Sequence, residues 1–325
     1  MHAVFLDYKT VDAGDLDLAS IKALLPEMDV YPYSNEAEVL DRIGKVEVAI
    51  ANKVVFDSEV FAQAKNLKLI CVTATGTDNI DLKSAEKAGV TICNIRDYCT
   101  ESVMQHVLLS ILSLTHSYSD YLHSIKKGEW QDGSSFSLLD HSISELSGKK
   151  LGIVGFGVLG KGVAKAASIL GMEVLICESF DPNKKSEDSL DRIGFDELLC
   201  SSDVISLHCP LTKETDGIFN DDAFEKMKSS AILINTARGG LVNNEALIKA
   251  IENKSIAGAG IDVLDQEPPS SDHPLMQKHY TNLILTPHIA WAAREARQRA
   301  LDRIADNIEA FQKGKPINVV KPRAL

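Results

Sequence analysis

Arg238, Glu267 and His288 are the side chains in this 325-residue chain whose types could do chemistry together. Each stands beyond an apolar run: Arg238 after 231–237, Glu267 after 261–264, His288 after 283–287. If the three runs are parallel strands of one sheet, all three side chains leave the same edge, where such sheets gather their ligand sites. The spacings, 29 residues from Arg238 to Glu267 and 21 from Glu267 to His288, fit one strand-to-strand unit each. A guanidinium offers a planar fork of donors that can hold a carboxylate and polarise a carbonyl beside it. An imidazole titrates near physiological pH and can pass a proton. A carboxylate on the other ring nitrogen would orient the imidazole and favour its protonated form. Together the three can bind a 2-keto acid and protonate it as a hydride arrives. Taken singly each is ordinary: an Arg after a strand is usually a surface charge, a Glu before Pro268-Pro269 is usually loop, and one His is usually structural. Their joint placement carries the reading.

The sheet that must position them begins at Lys150. Strand 151–154 runs into Gly155-Phe156-Gly157-Val158-Leu159-Gly160, then a helix over 158–170 and a strand over 173–177. In a G-x-G-x-x-G turn the first glycine permits the tight turn, the second lets a pyrophosphate approach the backbone, and the third lets the helix pack on the strand. The motif alone is weak, but here a strand precedes it and a helix follows. Glu178 ends the next strand, 18 residues after Gly160. An acid there pairs with a ribose 2′-hydroxyl and repels a 2′-phosphate, so the cofactor reads as NAD rather than NADP. Asp181 reads as loop. Further strands follow at 204–208, 231–234, 256–262 and 283–285. His208-Cys209-Pro210-Leu211-Thr212 leaves the first of these on the cofactor edge and suits the adenine side, with His208 itself read as structural rather than as a proton carrier. Asp262, at a strand end, reads as a holder of the nicotinamide carboxamide.

Before this series a first one alternates strands at 4–6, 46–51, 68–73 and 90–94 with helices at 16–25, 36–43, 57–64 and 82–88, the pattern of βαβ units on a parallel sheet. The turn Thr73–Asn79 could offer backbone N–H groups to an anion or be a plain turn. Residues 100–127 read as helix, apolar on more than one face, hence buried between domains and against a second copy in a C2 homodimer. The polar, Ser-rich 128–147 reads as a surface crossing. The last helix, 292–311, has a charged face and no sheet of its own, so it must return to the first domain. The expected organisation is a domain of 1–98 and 290–325 with 99–289 inserted into it, two hinges near Cys99 and Ala290, and a substrate cleft between.

Composition bounds the rest. The formal charge is −12 with a pI near 5.2, against nucleic-acid or anionic-membrane binding. The six cysteines (71, 93, 99, 177, 200, 209) form no CxxC pair and no metal-ligand spacing, so they read as free thiols in a reducing cytoplasm, with no metal. No basic leader and no run near the roughly 18 apolar residues of a membrane span is present, which reads as soluble and cytosolic.

GFGVLG at 155–160, LHCPLT at 207–212, NTARGGLV at 235–242, GIDVLDQEP at 260–268 and TPHIA at 286–290 occur in order with the spacing of the D-isomer-specific 2-hydroxyacid dehydrogenases, which the chain resembles over essentially its whole length. The resemblance implies an α/β architecture of two doubly wound parallel sheets, a Rossmann NAD-binding domain inserted into a flavodoxin-like substrate domain. It implies Arg238, Glu267 and His288 as the catalytic set, with Thr75 and Gly76 donating to the substrate carboxylate beside Arg238 and His288. Around the cofactor it implies Gly155, Gly157, Val158, Leu159, Gly160, Glu178, His208, Cys209, Pro210, Thr215, Thr236, Ala237, Arg238, Asp262, His288 and Ala290. Dimerisation through the NAD domain is also implied. TATGTDNID at 73–81, YCTESVMQH at 98–106 and HIAWAAREARQR at 288–299 are similar to the branch that interconverts hydroxypyruvate and D-glycerate. The alternatives are another 2-keto acid (glyoxylate, pyruvate or a bulkier one), or an NAD-sensing protein like the family's corepressor branch. Glu178 stands where Asp is commoner in the family, and no regulatory domain follows residue 325.

Overall fold

The computed structural model of the chain describes residues 1–181 and 189–322. It divides into two compact units, Met1–Cys99 with Trp291–Leu325, and Thr100–Ala290. The first holds five parallel strands, β1 (Ala3–Phe5), β2 (Met28–Val30), β3 (Val48–Ala51), β4 (Leu69–Val72) and β5 (Thr91–Cys93), in the order β2-β1-β3-β4-β5. This is the flavodoxin-like order. β3 and β4 are the all-buried runs VAIA and LICV, as expected of strands covered on both faces. β2 escapes the sequence reading because it is a three-residue edge strand, MDV, with no apolar run to mark it. The helix Glu36–Ile43 starts on a capping box between Asn35 and Glu38, and Asp57 and Asp81 cap the next two.

The tail helix, Arg294–Gln312, packs its stripe of Ala296, Ala300, Leu301, Ile304 and Ile308 into this same unit. Its charged face is not all solvated. Arg297 grips both oxygens of Asp15 at 2.8 Å, and Arg299 donates to the Tyr98 carbonyl at 2.9 Å.

The second unit holds β6 (Lys150–Val154), β7 (Glu173–Ile176), β8 (Val204–Leu207), β9 (Ile232–Asn235), β10 (Gly258–Ile261) and β11 (Leu283–Leu285), all parallel, in the order β11-β10-β9-β8-β6-β7. A single bridge from Cys177 to Ile193 extends the β7 edge, where the third strand of a dinucleotide-binding sheet belongs. The chain order reverses at β6, which has β7 on one side and β8 on the other. That reversal opens a crevice at the carboxyl end of β6. The single helix expected over 100–127 is two, Thr100–Thr115 and Tyr118–Lys126. They part at Ser117, whose φ of +46° cannot continue a right-handed helix. Residues 128–147 form neither helix nor strand.

Candidate active site

Register decides which side chains meet. Ile261 of β10 is paired with Asn235 of β9 on one side and Leu285 of β11 on the other. Arg238 and His288 each lie three residues beyond those two partners, so the two segments leave the sheet level with each other and on either side of the β10 exit. His288 Nδ1 then stands 2.6 Å from Glu267 Oε2, and the Leu264 N–H donates to the other carboxylate oxygen at 3.0 Å. Both side chains are about three-tenths exposed, reachable by a small molecule without being fully hydrated. The bond fixes Nδ1 as the nitrogen facing Glu267. Nε2 is therefore the atom that can exchange a proton with something else.

The His288 backbone has φ of +53°, a conformation that costs a non-glycine residue on the order of 1 kcal/mol or more. Asp262 holds it there. Its carbonyl accepts from His288 N at 2.8 Å, and its carboxylate accepts from Ile289 N at 2.9 Å and Ala290 N at 2.8 Å. The Thr286 hydroxyl donates to the same carboxylate at 2.6 Å and, being spent as a donor, accepts from His106 Nε2 at 3.1 Å. Asp262 is 2% exposed, with both carboxylate oxygens engaged in shaping the segment that carries His288. His106 went unread because, within the apolar helix Thr100–Thr115, nothing local distinguishes it.

Arg238 is positioned by a turn that Asn235 ties. The Asn235 amide donates to Arg238 O at 2.8 Å and accepts from Ala237 N at 3.0 Å. Gly239 follows, and a Cβ there would overlap the backbone of Leu264 and Asp265. Only glycine lets the arginine turn lie directly on the segment leading to Glu267. The Arg238 guanidinium also donates to the Ala237 carbonyl at 2.7 Å.

At the β6 crevice the first glycine of the G-x-G-x-x-G turn, Gly155, has φ of +100°, and a Cβ on it would run into the backbone of His208 and Cys209. The His208–Thr212 segment therefore packs on the turn, as Thr215 helps it to do. The buried Thr215 hydroxyl accepts from Thr212 N and donates to the Pro210 carbonyl, both at 2.8 Å. Gly160 packs under the Gly155 carbonyl, whereas Gly157 faces open space. The helix Val158–Ile169 begins there with no side chain capping its first N–H groups, and Val158 and Leu159 form its first turn. Glu178 follows the end of β7, exposed. Among the described residues, two buried polar atoms at the ends of the neighbouring strands β8 and β9 lack a partner, His208 Nδ1 and Thr236 Oγ1. Burial pushes the His208 imidazole down to about 4, and its Nε2 bonds Ser206 Oγ at 2.9 Å. An uncapped helix start, a glycine with room before it, orphaned polar atoms and an exposed acid beyond the next strand fit a dinucleotide. Among the described residues there is no cluster of His, Cys, Asp and Glu that could hold a metal.

The family model for the NAD-binding domain of the D-isomer-specific 2-hydroxyacid dehydrogenases matches residues 108–290. The chain belongs to that family. A glycerate dehydrogenase of Methylorubrum extorquens is 43% identical over 284 residues, covering 87% of this chain and 88% of that one. A hydroxypyruvate reductase of Blautia hydrogenotrophica is 36% identical over 323 residues, 98% and 99% of the two chains. Among solved structures, the D-lactate dehydrogenase of Aquifex aeolicus, complexed with NAD and lactic acid, superposes with a TM-score of 0.84 at 28% identity, over 99% of this chain and 100% of that one. This dehydrogenase is thus an NAD-dependent oxidoreductase of small 2-hydroxy and 2-keto acids.

Thr75 and Gly76 lie in the first unit of the dehydrogenase, on the loop that follows β4. The Thr75 hydroxyl donates to the Ile95 carbonyl at 2.9 Å, and the Thr75 carbonyl accepts from Asn94 at 2.7 Å. The loop is thereby tied to the end of β5.

Proposed function

We propose that the dehydrogenase reduces hydroxypyruvate to D-glycerate with NADH, and catalyses the reverse, using Arg238, Glu267 and His288. The 2.6 Å bond between His288 Nδ1 and Glu267 Oε2 carries the reading, because it leaves Nε2 as the proton-exchanging nitrogen. NADH supplies the hydride. The Arg238 fork holds the substrate carboxylate and polarises its carbonyl. In reduction the His288 imidazolium gives its Nε2 proton to the carbonyl oxygen while Glu267 keeps the ring oriented and balances its charge. In oxidation the neutral ring takes the hydroxyl proton back. Arg238 and His288 then also touch the nicotinamide side, with Thr236, Ala237 and Ala290 beside them. Thr75 and Gly76 are assigned to the substrate carboxylate on the strength of their place in the TATGTDNID stretch. The names of the two relatives support hydroxypyruvate over glyoxylate or pyruvate.

The assembly reading is a homodimer through the second unit. Leu109, Leu112, Tyr118, Leu122 and Ile125 are exposed on its two helices, and Phe136 beyond them is 93% exposed. An apolar surface of that extent is what a second copy would cover. The cytoplasm is the assigned compartment, since all six cysteines are free and five are buried. Among the described residues no helix is long and apolar enough to cross a membrane.

Purified protein should oxidise NADH with hydroxypyruvate at a higher kcat/KM than with glyoxylate, pyruvate or bulkier 2-keto acids. His288→Ala should lower kcat by about a thousandfold or more while NADH still binds, as loss of a general acid requires. Turnover undiminished in His288→Ala would remove His288 from the mechanism.

A further inference from the structure

Glu267 sits in the middle of an irregular crossing. β10 ends at Ile261, and the next regular element is the 3₁₀ turn Pro274–Met276. A residue in such a crossing meets a partner on another strand only if the crossing is pinned. Gly239 supports it from the Arg238 side, and the local bond from Leu264 N turns the Glu267 carboxylate. The third support is a pair of residues that no role has yet absorbed, His273 and Asp265.

His273 is 4% exposed and caps the 3₁₀ turn. Its Nδ1 accepts from the Leu275 N–H at 3.3 Å, and Leu275 is itself part of the unit's apolar core. With Nδ1 occupied as an acceptor, the ring proton stands on Nε2, which points at Asp265 Oδ1 at 2.9 Å. Asn244, first residue of the helix Asn244–Glu252, donates to that same oxygen at 2.8 Å. Burial would push the Asp265 carboxyl up, but the hydrogen bonds from His273 and Asn244 hold it below the usual carboxylate range. The chain of contacts thus runs from core (Leu275) to buried ring (His273) to a carboxylate two residues before Glu267. His273 acts through one nitrogen as a cap and through the other as a clasp.

We propose that His273 and Asp265 are a positioning pair that fixes the 262–274 crossing so that Glu267 reaches His288 Nδ1. The inference rests on the reading that Glu267 and His288 form the acid–base pair. Two substitutions separate the functions of the ring. His273→Asn keeps an oxygen near the Nδ1 position and so keeps the cap, but is too short to reach Asp265. His273→Gln restores a donor near the Nε2 position. With NADH and hydroxypyruvate both saturating, His273→Asn should lower kcat by about tenfold to a hundredfold, the range for a misplacement of about 1 Å. Its NADH affinity should stay within about twofold of wild type, and His273→Gln should recover most of the loss.

Two further readouts distinguish positioning from mere folding. In a Glu267→Gln background, His273→Asn should cost nothing more, because nothing remains to position. A further loss of the same size there would overturn the proposal. The imidazole ¹H–¹⁵N spectrum should show a far-downfield Nδ1–H for His288 in the wild type that disappears in His273→Asn and returns in His273→Gln. Wild-type kcat together with an unchanged His288 resonance in His273→Asn would also overturn it. Undiminished turnover in Glu267→Gln would instead sink the acid–base reading, while the resonance would still report whether His273 places Glu267.

Discussion

The two units of the dehydrogenase are built on related sheets, yet only one presents an open crevice. In both, the strand order reverses beside the first strand of the unit, and in such sheets the reversal leaves a crevice at the carboxyl ends. In the second unit that crevice holds the Gly155 turn and an uncapped helix start. In the first it is filled by the protein's own anion. Asp7, just beyond β1, is 4% exposed and accepts from Asn52 N at 2.9 and 3.1 Å and from Lys53 N at 2.7 Å, with Asn52 at the end of β3. The Asn52 side chain in turn donates to Thr10 at 3.1 Å. At that one position the same topology leaves room for a ligand or is closed by the chain itself, depending on whether glycine or aspartate stands beyond the first strand.

The contrast can be broken most forcefully at Gly155. Gly155→Val should abolish measurable NADH binding and destabilise the second unit by about 4 kcal/mol or more, since a side chain there overlaps Cys209 at a φ that L-residues avoid. NADH fluorescence titration and denaturant unfolding would register both. Near wild-type affinity would mean that the turn is not the cofactor cradle. Asp7→Ala, the matching change in the first unit, should cost about 2 kcal/mol by leaving the buried Asn52 N–H and the half-buried Lys53 N–H without their acceptor. Its NADH affinity should be unchanged. A tenfold loss of NADH affinity would erase the division of labour between the units.

His208 offers a pH-dependent version of the comparison. Its folded value, about 4, lies below the ordinary 6.5 because the ring is buried. Between those values the unfolded chain takes up a proton that the folded one refuses, so stability falls as pH drops from 6.5 to 4 and levels off below. The contribution is about 3 kcal/mol in total. His208→Gln should flatten that stretch of the stability–pH curve of the cofactor-free enzyme, and an unaltered slope would show that His208 is not held neutral. The smallest effect is at Glu178. Glu178→Ala should shift the ratio of NADPH to NADH kcat/KM upward by about tenfold, about 1.4 kcal/mol. A wild-type enzyme that already uses NADPH as well as NADH would refute the ribose assignment outright.

Much of this was legible in the residues. The apolar runs ILIN and VISL declare strands because they are buried on both faces, and GFGVLG declares its turn because its first and third glycines stand where a side chain would collide while the second leaves room in front of the helix. β2 was not legible, because an exposed edge strand needs no apolar signature. The break at Ser117 was not legible either, since the apolar pattern runs through it. The contacts that Asp262 makes within its own chain were not legible either, because an acid at a strand end looks alike in sequence whether it accepts from a cofactor, from the next turn or from both.

The sequence by itself determined the chemistry available to this dehydrogenase: a guanidinium, a carboxylate and an imidazole behind successive strands, and a glycine turn with an acid one strand later. Those depend on residue type and local spacing. The tertiary structure decided how the Glu267–His288 pair is held. Asp262 clamps His288 in a left-handed conformation, and His273 clasps Asp265 beside Glu267 across eight residues of chain without regular structure. Hydrogen bonds of that kind depend on which strands are neighbours and on which ring nitrogen is already engaged, and neither is written in the order of the residues.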